Sequence, residues 1–294
     1  MKPIFIGSGV AIITPFDKDG KINFDVYSKL LENQITNNTD AVIVCGTTGE
    51  GSTLTVDERL ELFEFTVGKT DGKIPVIGGT GSNSTSFTLS LAKQAEKCGI
   101  DAHLMVTPYY NKTSQKGIIE HYFTLADNLN KPIVIYNVPS RTGMNITPET
   151  YKKLSEHKNI KAVKEADSSI AKITRSIALC EDNLDFYIGN DDMICAAMSI
   201  GCKGVISVLS NILPEYTHNL AMSGYNGNFK ACSALQKECS KLVELLFSDV
   251  NPIPVKAAAE IIGYNCCNLR LPLIEADDLL KQRIKRELKK FIDI

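Results

Sequence analysis

A lysine at the end of a predicted strand, in the stretch KAVKEA at residues 161–166, has the clearest potential for chemistry in this chain. Residues 160–164 are mostly apolar and include β-branched side chains, which predicts a short strand with Lys164 as its last residue. Such a lysine is either a solvated strand end or the nucleophile of a Schiff-base enzyme. The second reading is possible because burial lowers the pKa of an ammonium group, and the neutral amine attacks ketones. The residues around Lys164 are needed to choose between these two interpretations.

Hydroxyl and guanidinium side chains follow the other predicted strands. Alone, each motif has a structural interpretation: a tight turn, a helix cap by Thr53, Thr55 or Ser84, or a buried tyrosine. Together they supply what Schiff-base chemistry needs, because hydroxyl groups transfer protons and an arginine guanidinium group binds a carboxylate through two hydrogen bonds. The side chains in question are Thr47 and Thr48 of GTTGEG, Tyr110 of TPYYN, and Tyr136 and Arg141 of YNVPSRTG.

Eight apolar segments alternate with amphipathic ones along most of the chain. Strand ends spaced by about 18 to about 33 residues correspond to one βα unit each. The pattern predicts a (β/α)8 TIM barrel over residues 1–224 and a C-terminal three-helix region, a helical appendage, over residues 225–294. An open doubly wound sheet gives the same alternation, but there only a few strand ends approach a ligand. Polar motifs follow nearly every strand here, which favours the barrel. The predicted strand ends are Thr14, Cys45, Gly78, Val106, Tyr136, Lys164, Gly189 and Ser207.

The composition argues against several classes of function. Of the 294 residues 44% are hydrophobic, the net charge is −2, and no apolar stretch reaches membrane-spanning length. The four histidines show no H-x-x-x-H pair and the nine cysteines no C-x-x-C pair, so no metal site is expected. Without a signal peptide, reduced thiols indicate a cytoplasmic protein. Neither nucleic acid nor a membrane is an expected partner.

The motifs GTTGE, TPYYN, YNVPSRTG and VKEA, in this order, closely resemble those of the dihydrodipicolinate synthases, and the likeness covers the whole chain. These enzymes are also called 4-hydroxy-tetrahydrodipicolinate synthases and belong to the superfamily of N-acetylneuraminate lyase and other pyruvate-dependent aldolases. The resemblance implies a lyase that condenses pyruvate with L-aspartate-4-semialdehyde. This is the first committed step of lysine and diaminopimelate biosynthesis, and it needs no cofactor.

The resemblance also implies a role for each matching residue. Lys164 would form the imine with pyruvate, and Tyr136 would be the acid/base beside it. Thr47 would connect Tyr136 to Tyr110 in a proton relay. Thr48 would hold the pyruvate carboxylate, and Arg141 the carboxylate of the second substrate. The carbonyl groups of Gly189 and Ile206 would line the pyruvate pocket.

Two other functions remain open at this point. A pyruvate-dependent aldolase of the same superfamily would differ only in its second substrate. The lyases usually carry serine where Thr47 stands and lack the arginine of PSRTG, so Thr47 and Arg141 favour the synthase. A binding protein on an inactive barrel would require the loss of Lys164 or Tyr136, and both are present.

The family resemblance implies assembly and regulation too. In the family the tyrosine matching Tyr110 reaches the site of a neighbouring subunit, which implies a homotetramer built as a dimer of tight dimers. Many members bind lysine in a cleft at the dimer interface. Here Asn83 and Tyr109 match that cleft, but Phe87 replaces a glutamate, and Val56 and Arg59 stand where histidines are common. Because lysine brings two cationic amines, we expect an enzyme insensitive to it.

Overall fold

Eight parallel strands form a closed barrel in the computed structural model, which describes residues 2–293. Each strand pairs with the next, and β8 closes on β1 with Gly7 opposite Gly204. The strand order confirms the barrel and excludes the open sheet. The strands are β1 (Gly7–Ala11), β2 (Ala41–Val44), β3 (Val76–Gly79), β4 (Ala102–Val106), β5 (Ile133–Asn137), β6 (Ile160–Glu165), β7 (Asp185–Ile188) and β8 (Gly204–Ser207).

Helices connect the strands and surround the barrel. Between strands lie α1 (Phe24–Thr36), α2 (Val56–Thr70), α3 (Thr85–Lys97), α4 (Gln115–Asp127), α5 (Pro139–Thr142), α6 (Pro148–Leu154), α7 (Ile170–Cys180) and α8 (Ile194–Ser199), and α9 (Pro214–Tyr225) follows β8. Thr55 caps α2 in a reciprocal capping box with Glu58, and Ser84 caps α3. Two of the predicted helix caps are therefore confirmed.

Several strand ends differ from the prediction by one to three residues. β1 stops at Ala11 rather than Thr14, because the Ile13 N–H donates to the Asn211 side chain (2.9 Å) instead of to the next strand. β2 stops before Cys45, whose φ of 56° is incompatible with an extended chain. β6 continues one residue beyond Lys164, to Glu165. Successive side chains alternate between the faces of a strand, so these two point in opposite directions.

The barrel interior is filled by apolar side chains and closed at one end by an aromatic stack. Phe5, just before β1, stacks on Tyr187 of β7 with ring centroids 4.2 Å apart. The Tyr187 hydroxyl donates to the Phe5 carbonyl oxygen at 2.7 Å. This stack seals the end where the chain enters the strands. The opposite end, where the strands finish, is left for the side chains of the predicted site.

Three further helices follow the barrel, as predicted: α10 (Phe229–Leu246), α11 (Ile253–Ile261) and α12 (Asp278–Leu288). Residues 253–259 of α11 are all buried, and this helix packs against the turn at Leu209–Asn211 that follows β8. The division of the chain after residue 224 remains a prediction. Within residues 2–293, no helix is both long enough and apolar enough to cross a membrane.

Candidate active site

Lys164 is buried inside the barrel and is not a solvated strand end. Its side chain is 5% exposed, and its Nζ lies 4.5 Å from the centroid of the Tyr136 ring. Tyr136 on β5 and Tyr187 on β7 are its direct neighbours in the strand register. A methyl group built on Gly189 would meet the Lys164 Cε at 3.1 Å, so a glycine there leaves room for the lysine chain. Lys164, Tyr136 and Gly189 thus lie together, as predicted.

Glu165, the last residue of β6, holds the end of this strand through hydrogen bonds on the face opposite to Lys164. Its two carboxylate oxygens accept hydrogen bonds from Asn137 and Tyr151, both at 2.7 Å, and from the Asp167 N–H at 2.8 Å. Burial raises the pKa of Glu165, while these hydrogen bonds act in the opposite direction. The network fixes the end of β6 and hence the position of Lys164.

A cavity of about 260 Å³ opens at the carboxyl ends of β2 to β5. Three of the predicted catalytic and substrate-binding residues line it: Thr47, Tyr136 and Arg141. A second cavity, of about 650 Å³, opens over the residues that follow β5, β6 and β7, among them Ala166 and Asn190, with α10 on its far side. Lys164 lines neither cavity, but Tyr136, which its amine contacts, lines the first.

The turn GTTGEG brings the two threonines to the mouth of the barrel. Gly51 is required in this turn, because a Cβ there would lie 2.2 Å from the Cys45 carbonyl oxygen. Thr47 faces the first cavity, and the buried Thr48 hydroxyl accepts a hydrogen bond from the Asn251 side-chain amide at 3.0 Å. Burial raises the pKa of Cys45 to about 12, so its thiol stays protonated at neutral pH.

Arg141 lies on the short helix α5, and its Nη2 donates to the main-chain carbonyl oxygen of Asn251 at 3.3 Å. Asn251 therefore contacts both Thr48 and Arg141, which follow different strands. Ile206 is fully buried on β8, inside the barrel. The predicted substrate-binding residues thus all lie at or inside the same end of the barrel, with Asn251 as an additional contact.

Tyr110 does not reach the other predicted relay residues within this chain. Its side chain is 93% exposed and its φ is +67°. Its neighbour Tyr109 lines the first cavity instead. A relay of Tyr136, Thr47 and Tyr110 is therefore incomplete in a single chain.

Two of the five residues of the predicted effector cleft line the same cavity. Arg59 lines it together with Tyr109, and its Nη2 donates to the Gly51 carbonyl oxygen. Phe87 is 42% exposed on the first turn of α3, and the Asn83 carbonyl oxygen accepts a hydrogen bond from the Asn111 side chain (3.0 Å). Val56 is the first residue of α2.

A buried ion pair connects the turn after β2 to the C-terminal helices. Lys256 of α11 is fully buried, and its Nζ donates to Glu50 Oε1 at 2.6 Å and to the Thr14 carbonyl oxygen at 2.9 Å. The other Glu50 oxygen accepts from the Arg270 N–H at 3.1 Å. Burial lowers the pKa of Lys256, and the Glu50 charge opposes that shift. The ion pair holds the turn that carries Thr47 and Thr48.

Sequence reasoning missed four of these supporting residues, to different degrees. Glu50 and Glu165 belong to the motifs GTTGEG and VKEA, so their positions beside functional residues were visible. Asn251 and Lys256 are about two hundred residues from their partners, and no motif marks them. Among residues 2–293, no group of three or more His, Cys, Asp or Glu side chains is arranged to hold a metal ion.

Comparison with known proteins identifies the family. A sequence profile of the dihydrodipicolinate synthetase family matches residues 4–291. The chain belongs to this family. It is 48% identical over 286 residues to 4-hydroxy-tetrahydrodipicolinate synthase 1 of Clostridium acetobutylicum, with 97% of each chain covered.

Solved structures of dihydrodipicolinate synthases have the same fold as this chain. The Thermotoga maritima enzyme superposes with a TM-score of 0.96 at 40% identity, covering 98% of each chain. An enzyme from Cyanidioschyzon merolae, determined with lysine bound, gives 0.95 at 35% identity, again covering 98% of each chain. The predicted family, the TIM barrel and the prediction of a synthase of lysine and diaminopimelate biosynthesis are confirmed.

Proposed function

We propose that this dihydrodipicolinate synthetase family member condenses pyruvate with L-aspartate-4-semialdehyde through a Schiff base on Lys164. The observation that carries the proposal is the burial of Lys164 against Tyr136 at the carboxyl end of a closed barrel. A buried amine beside a phenol is suited to attack a ketone and exchange protons with it. The free thiols of all nine cysteines support a reducing, cytoplasmic location.

The steps of the reaction follow from the groups present. The Lys164 amine adds to C2 of pyruvate and water leaves, which gives the imine. Loss of a proton from C3 gives the enamine, whose C3 bonds to the aldehyde carbon of the second substrate. The amino group of that substrate then attacks the imine carbon, closes the ring and releases Lys164.

Each predicted side chain has a part in this sequence. Tyr136 would donate and accept the protons of imine formation, with Thr47 and a partner's tyrosine at the Tyr110 position completing the relay. Thr48 would donate to the pyruvate carboxylate. Arg141, which lines the cavity, would bind the carboxylate of the semialdehyde. Main-chain carbonyl groups at Gly189 and Ile206 would border the pyruvate.

Reduction with borohydride tests the lysine directly. In the presence of pyruvate we expect one reduced adduct, on the peptide that contains Lys164, and none in Lys164→Ala. Lys161→Ala is the matched control and should be labelled normally. An adduct located on Lys161 would refute the mechanism. A coupled assay with pyruvate and either the semialdehyde or sugar aldehydes separates the synthase from an aldolase.

We also propose that the enzyme is insensitive to lysine, although the relative from Cyanidioschyzon merolae was determined with lysine bound. Phe87 offers no charge to an ammonium group, and the cation Arg59 lies beside the cavity. Two lost charged hydrogen bonds weaken binding by at least roughly a hundredfold. Titration of L-lysine into the coupled assay checks this, and half-inhibition below about 1 mM, equivalent to roughly −4 kcal/mol of binding, would contradict it.

A further inference from the structure

The carboxyl ends of β7 and β8 are not paired with each other. Two residue pairs join these strands, the last being Ile188 with Val205, whereas every other neighbouring pair of strands has at least three. Beyond them, the Gly189 N–H donates to the Glu165 carbonyl oxygen of β6 at 2.7 Å, and Ser207 of β8 pairs with β1. Each strand end therefore pairs on its far side, which leaves a seam between β7 and β8.

Asp191 connects the two sides of this seam. The residue follows β7 and is fully buried, and its Oδ2 accepts hydrogen bonds from the N–H groups of Val208 and Leu209, both at 2.9 Å. These two residues directly follow β8. The main-chain oxygen of Asp191 accepts from the Gln236 side chain of α10, also at 2.9 Å. One residue thus joins the end of β7, the turn after β8 and the C-terminal helices.

A carboxyl group at this position is unfavourable apart from the hydrogen bonds that it makes. Among the described residues, no lysine or arginine forms an ion pair with Asp191, and its Oδ1 atom is buried without a hydrogen-bond partner. Burial raises the pKa of Asp191, while hydrogen bonding and the positive charge of Lys164 act in the opposite direction. An apolar side chain would avoid the cost of burial but would leave two N–H groups without an acceptor.

The two sides of the seam carry the main-chain carbonyl groups that the proposed function assigns to the pyruvate pocket. Gly189 comes two residues before Asp191, and Ile206 comes two residues before Val208, so at most about 7 Å of chain separates each from the link. Gly189 also packs on the nucleophile, because a methyl group built on it would lie 3.1 Å from the Lys164 Cε. The separation of the two carbonyl groups therefore depends on the hydrogen bonds of Asp191.

We propose that Asp191 is a positioning residue, which closes the seam and fixes Gly189 and Ile206 at the separation that holds pyruvate. It acts through these two residues and not by contact with the substrate. This role rests on the proposed function, because it requires pyruvate in the pocket beside Lys164.

Two substitutions of Asp191 test the link. Asp191→Ala leaves the N–H groups of Val208 and Leu209 without their acceptor, so we expect pyruvate to bind at least roughly tenfold more weakly. Calorimetry and borohydride trapping both measure this affinity, and the KM for the semialdehyde should be nearly unchanged. Asp191→Asn keeps an acceptor oxygen and should retain most of the affinity. Asp192→Ala removes the adjacent, exposed acid and is the matched control.

Amide hydrogen exchange at Val208 and Leu209 shows whether the link is broken. Unchanged exchange in Asp191→Ala, or faster exchange with unchanged pyruvate affinity, would overturn the proposal, and so would equal losses of affinity in the alanine and asparagine variants. If the alanine variant does not fold, pyruvate should slow the exchange of these two amides in the unmodified protein, and no change there would overturn the proposal. Absence of a borohydride adduct on Lys164 would overturn the proposed reaction alone, because calorimetry still measures pyruvate binding.

Discussion

At the scale of single residues, the contacts of Asn251 with the site could not be predicted from the sequence. Its amide Nδ2 donates to the Thr48 hydroxyl oxygen at 3.0 Å, and its main-chain oxygen accepts from Arg141 at 3.3 Å. Because the Thr48 oxygen accepts from the amide, its own hydrogen is free to be donated elsewhere. We infer that Asn251 orients this hydroxyl as a donor to the pyruvate carboxylate.

Asn251→Asp tests that orientation. An aspartate accepts the Thr48 hydrogen and places a negative charge near the incoming carboxylate. We expect the KM for pyruvate to rise roughly tenfold to a hundredfold, which is the loss of binding expected when one charge-assisted hydrogen bond is removed. The change in kcat should be smaller. The Arg141 contact uses the main chain and is retained. A lower kcat at unchanged KM would instead indicate a purely structural role, and steady-state kinetics decide between the two.

Arg141→Ala tests the assignment of the second substrate. If Arg141 binds the semialdehyde as proposed, loss of the guanidinium removes a charge-assisted pair, and the KM for this substrate should rise roughly tenfold to a hundredfold. The KM for pyruvate should be nearly unchanged, because the proposal assigns the pyruvate carboxylate to Thr48. Arg141→Lys keeps the charge without the planar fork and should give an intermediate KM. A rise in the KM for pyruvate alone would show that the two substrate sites are assigned wrongly.

At the scale of elements, α11 connects the C-terminal helices to the turn after β2. The fully buried Lys256–Glu50 pair makes this connection, with three acceptors around the Lys256 Nζ: Glu50 Oε1 and the carbonyl oxygens of Thr14 and Asn268. A buried pair of this kind offers modest net stability, but removing one partner leaves an uncompensated charge in the interior. The same turn carries Thr47 and Thr48, so the C-terminal helices also support the site.

Lys256→Met should therefore lower the free energy of unfolding by about 3–5 kcal/mol, because Glu50 is left buried without its cation. Denaturant unfolding followed by circular dichroism measures this change. The double variant Lys256→Met with Glu50→Gln removes both charges and should recover part of the loss. Equal stability of the single variant and the unmodified protein would show that water reaches Glu50.

At the scale of the whole molecule, a single chain forms a complete barrel but does not contain the complete proposed proton relay. Tyr110 is almost fully exposed, Tyr109 and Phe87 are exposed too, and the loops beside them are joined by the hydrogen bond from the Asn111 side chain to the Asn83 carbonyl oxygen. Exposed aromatic side chains in a group are typical of interfaces. We propose that a second copy of the chain covers this surface and that the tyrosines at position 110 are exchanged between the two sites.

Complementation between inactive chains tests the exchange. Lys164→Ala lacks the nucleophile and Tyr110→Phe lacks the relay hydroxyl, so each homodimer should be inactive or nearly so. A mixed dimer contains one site with both Lys164 and a partner's Tyr110, and should recover part of the activity. Heterodimers that are shown to form by mass spectrometry and remain inactive would contradict a relay between subunits. Analytical ultracentrifugation separates dimer from tetramer.

The sequence alone was sufficient to predict the barrel, the helical region after it and the residues grouped around Lys164. Parallel strands are buried on both faces and are therefore nearly continuous apolar runs, and helices have their own period, so both patterns are visible locally. A barrel brings all strand ends to one face, so motifs that follow the strands meet without further information. This is why Lys164, Tyr136, Thr47 and Arg141 could be placed together before any contact was known.

Only the tertiary structure decided which distant groups satisfy the buried polar atoms of the site. Asn251 reaches Thr48, and Lys256 reaches Glu50, across about two hundred residues, and their positions depend on how α11 packs on the barrel. Hydrogen bonds and ion pairs form over a few ångströms in space. The number of residues between two groups along the chain does not show whether they are that close.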